Sequence, residues 1–172
     1  MAVHIIIDGY NFIRNSESLR ALDRQDIQLG REALVELLAA YKRIRPHRIT
    51  VVFDGTGAPE FSAARDRVKG ITVRFSRSGE TADAVIKRMA ARERERALVV
   101  SSDRSIVRSA SASRAAIIDA SEFEHSLQLA AASGGAMEDT DSGGWVPTTR
   151  KKGPARRLPK RRRRNRTKIR KL

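Results

Sequence analysis

Val3-His4-Ile5-Ile6-Ile7-Asp8-Gly9-Tyr10-Asn11 decides how the rest of the chain is read. Val3, Ile5, Ile6 and Ile7 form a short run of β-branched residues, the pattern of a strand buried on both faces. It stops on an acid followed by turn residues. Ile49 to Phe53 repeats the arrangement and stops on Asp54-Gly55. Ile71, Val73 and Phe75 alternate with Thr72 and Arg74, which predicts a third strand, half exposed at a sheet edge. Ala97 to Val100 and Ala115 to Ile118 predict a fourth and a fifth. Helical periods separate them. Leu29, Ala33, Leu34, Leu37, Leu38, Tyr41 and Ile44 share one face, with Asp26 placed to cap it. Ala82, Val85, Ile86, Met89 and Ala90 form a second stripe, a short helix fits around Ser105 to Ala112, and a last one from about Ser121 to Ala132. Strands joined by helical crossovers make a parallel sheet with helices on both faces. Ligands of such sheets sit beyond the carboxyl ends of the strands.

Composition narrows the chemistry. The 172 residues suffice for one ordinary domain, and 40% are hydrophobic, enough for a buried core. The absence of cysteine excludes a thiol nucleophile and any Cys-ligated metal site. The three histidines, His4, His47 and His125, are too scattered for a His-rich centre: His4 reads as a core or edge residue, His47 as part of a turn, His125 as exposed. No apolar run approaches the roughly 18 residues of a membrane-spanning helix, and Met1 leads straight into the first strand without a basic leader. A cytoplasmic protein with no membrane role is expected. The net charge of +15 is concentrated at one end: Arg150 to Leu172 holds 14 of the 35 basic residues and none of the 20 acidic ones, so the remaining 149 residues carry only +1. We therefore divide the chain into a globular domain at 1–132, a Gly/Ser/acid-rich flexible linker at 133–149 and a basic tail at 150–172, disordered when free. Trp145, in the linker, reads as a local contact.

The acids fall on one edge of the predicted sheet. Asp8 follows the first strand, Asp54 the second, and Asp103 the fourth after Ser101-Ser102. Asp83 lies in the first turn of the helix after the third strand, with Glu80 three residues before it on the same side. Singly, each has a plainer role: Asp8 and Asp54 as turn formers, Asp103 as a helix N-cap in competition with Ser102, Glu80 and Asp83 as complements to a helix N-terminus. Independent turns give no reason for an acid at the same edge each time. Crowded carboxylates suit a hard divalent cation, which relieves their repulsion and activates water beside a phosphate.

Four segments in order, Ile6-Ile7-Asp8-Gly9-Tyr10-Asn11, Val52-Phe53-Asp54-Gly55, Gly79-Glu80-Thr81-Ala82-Asp83 and Ser101-Ser102-Asp103-Arg104, resemble the motif series of the YacP-like NYN domain family, within the PIN-like ribonuclease group. The likeness covers about residues 3 to 125. It implies a three-layer α/β/α domain with a central parallel sheet, and a metal-dependent endoribonuclease using Mg²⁺ or Mn²⁺ on mRNA at the ribosome or on structured or ribosomal RNA. By position it implies Asp8, Asp83 and Asp103 as metal ligands, with Asp54 joining directly or through water. Asn11 would orient a ligand or touch the scissile phosphate, and Ser102 and Glu80 would support the ligands from behind. The alternative is a non-catalytic RNA- or ribosome-binding protein with the same fold. A haloacid-dehalogenase phosphatase needs Asp-x-Asp, and Tyr10 stands where its second acid belongs.

Arg14, Lys87, Arg88 and Arg104 are placed to line an RNA path near the acids, Tyr10 to reach a base, and Phe12 to join the core. Arg161, Arg162, Arg163 and Arg164 centre the cationic tail, which lies outside the recognised motifs. Such a run clamps phosphates but lacks an aromatic platform. With roughly 6 to 10 tail contacts to RNA, log K falls with log salt at a slope of about −4 to −7. Deleting residues 150–172 is expected to weaken RNA association and flatten that slope; a titration giving an unchanged slope removes the tail as the anchor.

Overall fold

A computed structural model describes residues 3–57, 65–134, 165, 168 and 169. The elements run β1 (His4–Asp8), α1 (Gly9–Asn15), α2 (Glu17–Gln25), α3 (Ile27–Ile44), β2 (Arg48–Phe53), β3 (Arg65–Val68), β4 (Ile71–Phe75), α4 (Ala82–Glu93), β5 (Ala97–Val100), α5 (Arg104–Ala112), β6 (Ala116–Ile118) and α6 (Ala120–Gly134). One six-stranded sheet has the order β3-β4-β2-β1-β5-β6. All neighbours are parallel except β3 with β4. The apolar β1 run sits at the centre because only a strand flanked on both edges and both faces buries every residue, and β1 is buried throughout.

Two cores flank the sheet. Ile5 and Ile7 point to a large one closed by α1, α2, α3 and α6, where Phe12, Leu34, Leu38, Tyr41 and Phe123 interlock. Ile6 and Val52 point to a smaller one under α4 and α5, with Val85, Ile86 and Ile106. The predicted three layers are thus present. The helices after β1 lie on one face and α5, after β5, on the other, so the sheet's switch point opens at the carboxyl ends of β1 and β5.

Three expectations need correction. The strand at Ile71–Phe75 is not the edge: β3 pairs with it antiparallel and takes the outer position. Arg65-Asp66-Arg67-Val68 has one apolar residue and is exposed along its length, so it carries no periodic signal. Lys69 (φ 49°) and Gly70 (φ 82°) form its two-residue turn, both with the positive φ that a tight hairpin requires. Next, α1 and α2 occupy residues 9–25, for which the sequence predicts no more than a turn at residues 8–11; Asp8 and Ser16 cap them through their side chains. Last, the buried face of α3 is rotated: Arg31 is 5% exposed, while Leu29 and Ile44 are 43% and 40% exposed. The cap at Asp26 is as expected, its carboxylate accepting from Gln28 N at 2.7 Å. No helix of the described residues is long and apolar enough to cross a membrane.

Most of the linker and tail lies outside the described residues. At the three described tail positions the chain is docked on the body. The Asn165 amide brackets the Ile117 peptide on edge strand β6, accepting from its N–H at 2.7 Å and donating to its carbonyl at 2.8 Å. Lys168 Nζ lies 3.4 Å from the Ala97 carbonyl, and Ile169 packs on the larger core. An edge strand leaves such groups unpaired, and a carboxamide offers one donor and one acceptor at the right spacing. Asn165→Ala is expected to lower stability by about 1 kcal/mol and to speed hydrogen exchange selectively at the Ile117 amide; unchanged exchange there shows that the clamp is not made in solution.

Candidate active site

The acidic cleft lies at the carboxyl ends of β1 and β2, with a volume of about 570 Å³ and Asp8, Asn11, Asp54 and Asp83 in its wall. Close backbone approach makes it possible. A Cβ on Gly9 would come within 2.3 Å of the Phe53 ring, and one on Gly55 within 2.0 Å of the Ser76 carbonyl oxygen. Glycine after Asp8 and after Asp54 is therefore required by packing: Gly9 lets α1 close on the end of β2, and Gly55 lets the loop after β2 close on the loop after β4.

Asp8 is the anchor. It is 8% exposed, accepts from Asn11 N at 3.2 Å through Oδ1 and faces the Ser101 hydroxyl at 3.4 Å through Oδ2. Burial pushes its pKa up to about 6; Asp83 and Asp103 push the same way, and the Asn11 and Ser101 hydrogen bonds only partly oppose them. Asn11 ties the motifs together, since its Oδ1 accepts from Ser102 N at 2.9 Å across 91 residues of sequence. Ser101 Oγ also accepts from Asp103 N at 3.1 Å. Asp103 caps α5, taking the N–H groups of Ser105 and Ile106 at 2.7 and 3.1 Å. Asp54 accepts from the Thr56 N–H and hydroxyl at 3.1 and 2.8 Å, which with the nearby Ala82 N–H holds its carboxyl below the usual range. Asp83 faces Lys87 Nζ at 3.7 Å, and that ammonium also donates to Ser105.

The plain turn and cap roles are thus all filled, and the acids still gather. Asp8, Asp54 and Asp83 share the cleft wall; Asp103 joins from the β5 side, through Ser101 and its charge on Asp8. Glu80 does not join. Thr81 caps α4, so Glu80 lies before the helix, where the three-residue spacing does not apply. It pairs with Arg88 and lines a neighbouring cleft. Arg14 lines the acidic cleft, and Arg104 is exposed at the start of α5. Arg161 to Arg164 lie outside the described residues.

Three residues escaped the sequence reading. Asp119, directly after β6, accepts from Ser102 Oγ at 2.8 Å and from Ser121, which hold its carboxyl low; as an acid ending a predicted strand, it carried the signal used for the others. Asp23 also lines the cleft, but from α2, which gave no reason to look there. Arg31, buried under the rim, donates through Nε to the Tyr10 hydroxyl at 3.0 Å, with its guanidinium 5.5, 5.7 and 5.4 Å from the rings of Tyr10, Phe53 and Phe75. It fixes the Tyr10 ring at the cleft.

Among the described residues, no three His, Asp or Glu side chains converge tightly enough to hold a metal as they stand. The donor set nonetheless fits a hard cation. It is all oxygen, and the Asp8 carboxyl, raised first by burial and then by Asp83 and Asp103, is the group a divalent charge would relieve.

The family model for the YacP-like NYN domain matches residues 5–171, and so includes the tail that the motif reading left outside. An uncharacterized protein, YacP, of Bacillus subtilis (strain 168) is 31% identical over 88 residues, a match spanning about half the length of each chain. The fold is similar to crystal structures of Rae1 (YacP) from Bacillus subtilis. The structure of a mutant form gives a TM-score of 0.62 at 23% identity over 74% of this chain and 75% of that one. A second crystal structure gives 0.62 at 24% identity over 76% and 75%.

The raised Asp8 pKa sets a pH dependence. Its contribution to stability is complete below pH 3.8 and is lost as pH rises through about 6. Buried His4, held down to about 4 by burial and by Arg48, works oppositely, its contribution present above 6.5 and lost on acidification. The two overlap, so the comparison with Asp8→Asn isolates Asp8. In chelator, that variant is expected to gain stability over wild type between pH 4 and 6, reaching on the order of 2 kcal/mol at pH 8. Denaturation curves showing no pH-dependent difference would refute the buried, raised carboxyl.

Proposed function

This chain belongs to the YacP-like NYN domain family, a nuclease family, and we propose that it is a metal-dependent endoribonuclease. The observation that carries the reading is the buried Asp8 carboxyl, its pKa raised first by burial and then by Asp83 and Asp103, in a cleft shared with Asp54 and Asp83 at the carboxyl ends of β1 and β2. Asp8, Asp54, Asp83 and Asp103 are the residues that would hold Mg²⁺ or Mn²⁺. When bound, such an ion lowers the pKa of a water and stabilises charge on the phosphate.

The chain's own groups prepare that chemistry. Asn11 and Ser101 hold the β1 and β5 ends together, so Asp8 cannot turn away when it ionises. Ser102 and Asp119 brace the same loop from the outer side. Lys87, bonded to Ser105 and 3.7 Å from Asp83, would meet the substrate phosphate beside that acid. Arg14 and the fixed Tyr10 ring line the entrance, where a phosphate and a base would pass. We assign RNA as substrate, either mRNA at the ribosome or structured or ribosomal RNA, cut to 5′-phosphate and 3′-hydroxyl ends in the cytoplasm, with Arg161 to Arg164 adding to RNA affinity.

One observation favours a second reading. The acids line the cleft without converging, as in a non-catalytic RNA- or ribosome-binding protein that keeps the fold. Metal linkage separates the two. As a nuclease, the wild type gains thermal stability in Mn²⁺. Asp83→Asn is expected to lose that gain and to cut RNA at least about a hundredfold more slowly, while binding it undiminished. Undiminished cleavage removes Asp83 from the mechanism, and a wild type indifferent to Mn²⁺ supports the binding module.

A further inference from the structure

We propose that the β3–β4 edge of the sheet is a cationic track that binds the phosphate backbone of single-stranded RNA and leads it to the acidic cleft, a role that rests on the ribonuclease reading. None of its basic residues belongs to the recognised motifs, and, Arg88 apart, the even charge of residues 1–149 hides them. Two clefts follow the hairpin. The first, about 400 Å³, has Lys42, Arg48, Arg65 and Arg67 in its wall against one acid, Asp66. The second, about 640 Å³, has Arg65, Arg74, Arg77 and Arg88 against Glu80. Arg65 lines both, and Glu80 is joined by its peptide bond to Thr81, which lines the acidic cleft beside Asp83. The clefts therefore form a series that ends at the acids.

The fold works against its own stability here. Arg65 stands directly opposite Arg74 in the β3–β4 register, where like charges repel. Among the described residues Arg65, Arg67 and Arg77 make no ion pair, and Arg74 Nε is buried without a hydrogen-bond partner. Lys42 and Arg74 are both held below their ordinary pKa, by burial first and then by neighbouring arginines, Arg67 in one case, Arg65 and Arg88 in the other. Arginines on an edge strand also discourage pairing between sheets. That role explains Arg65 and Arg67, but not Arg74 behind them or Arg77 beyond the strand. Charge held at this expense is suited to a polyanion, whose counterions are released on binding. A strand of RNA fits a narrow succession of cationic clefts; an anionic membrane would want an apolar face beside the charge, and Val68 is the single large exposed apolar residue on this hairpin.

The test uses full-length, chelated protein and a fluorescent oligouridine, titrated over a range of NaCl concentrations. Arg65, Arg67 and Arg77 are exposed, so changing all three to Gln leaves the core untouched. The triple Gln variant is expected to lower the salt slope by about 2, at about 0.7 per lost contact, and to weaken binding on the order of tenfold. The triple Lys variant keeps the slope. A triple Gln variant with an unchanged slope overturns the track, as does a wild type that binds phosphatidylserine vesicles or polyglutamate but not the oligouridine. Cleavage in Mn²⁺ is scored separately: cleavage with an unchanged slope overturns the track and leaves the nuclease standing, whereas a lowered slope without cleavage by the wild type supports the track and overturns the nuclease.

Discussion

A carboxylate at the end of the most deeply buried strand is the constraint around which the domain is arranged. β1 is enclosed by β2 and β5 at its edges and by a core on each face, so Asp8 ends a strand with no solvent at its sides. An anion there is stable only when its lone pairs are occupied and its field is answered. The Asn11 N–H and the Ser101 hydroxyl occupy it in part; Asp83 and Asp103 add charge of the same sign. The result is a group close to changing protonation in the range where cells operate, at the place where an α/β sheet takes its ligand. Such tension lowers stability locally and is found where a cation or a substrate supplies what the fold withholds.

The neighbouring geometry serves to hold that carboxylate in place. Gly9 lets the Phe53 ring lie against the start of α1, and Gly55 lets the loop after β2 meet the Ser76 carbonyl, each closer than any side chain would permit. Asn11 then spans the gap, linking the β1 turn to the β5 turn through Ser102, which passes the load to Asp119. Caps of this sort orient Asp8, Asp54 and Asp103 by hydrogen bonds from their own loops, while Asp83 is held beside Lys87 in the first turn of α4. Beneath it, Arg31 replaces apolar contact with a guanidinium stacked among three rings, holding Tyr10 upright while remaining out of water.

Charge is distributed with the same one-sidedness. Counted along the chain, the basic excess belongs to residues 150–172; on the surface, a second concentration appears along β3 and β4, because the hairpin brings Arg65 and Arg67 against Arg74 and near Lys42 and Arg48. Net charge over a domain conceals this, since acids elsewhere balance the sum without neutralising the field.

The strand at residues 3–7, the acids that end the first two strands and the helix capped by Asp26 were legible from residue order alone. Burial on both faces, backbone tightness and capping each demand particular residue types at adjacent positions. The layer order and the edge location of Asp8, Asp54, Asp83 and Asp103 followed from these. Strand β3 was not legible, since an exposed edge needs no apolar alternation; the start of α1 was hidden behind Asp8-Gly9-Tyr10-Asn11, residues equally at home in a turn, and α2 buries only Leu19. Glu80 misled because its spacing from Asp83 counts only inside a helix, and Thr81 begins that helix after it. Local chemistry thus determined which elements form and which acids end them. Which groups meet, whether Ser102 with Asn11, Asn165 with β6, or Arg65 with Arg74, was decided only by tertiary structure, because those contacts join positions whose separation along the chain carries no physical information about their separation in space.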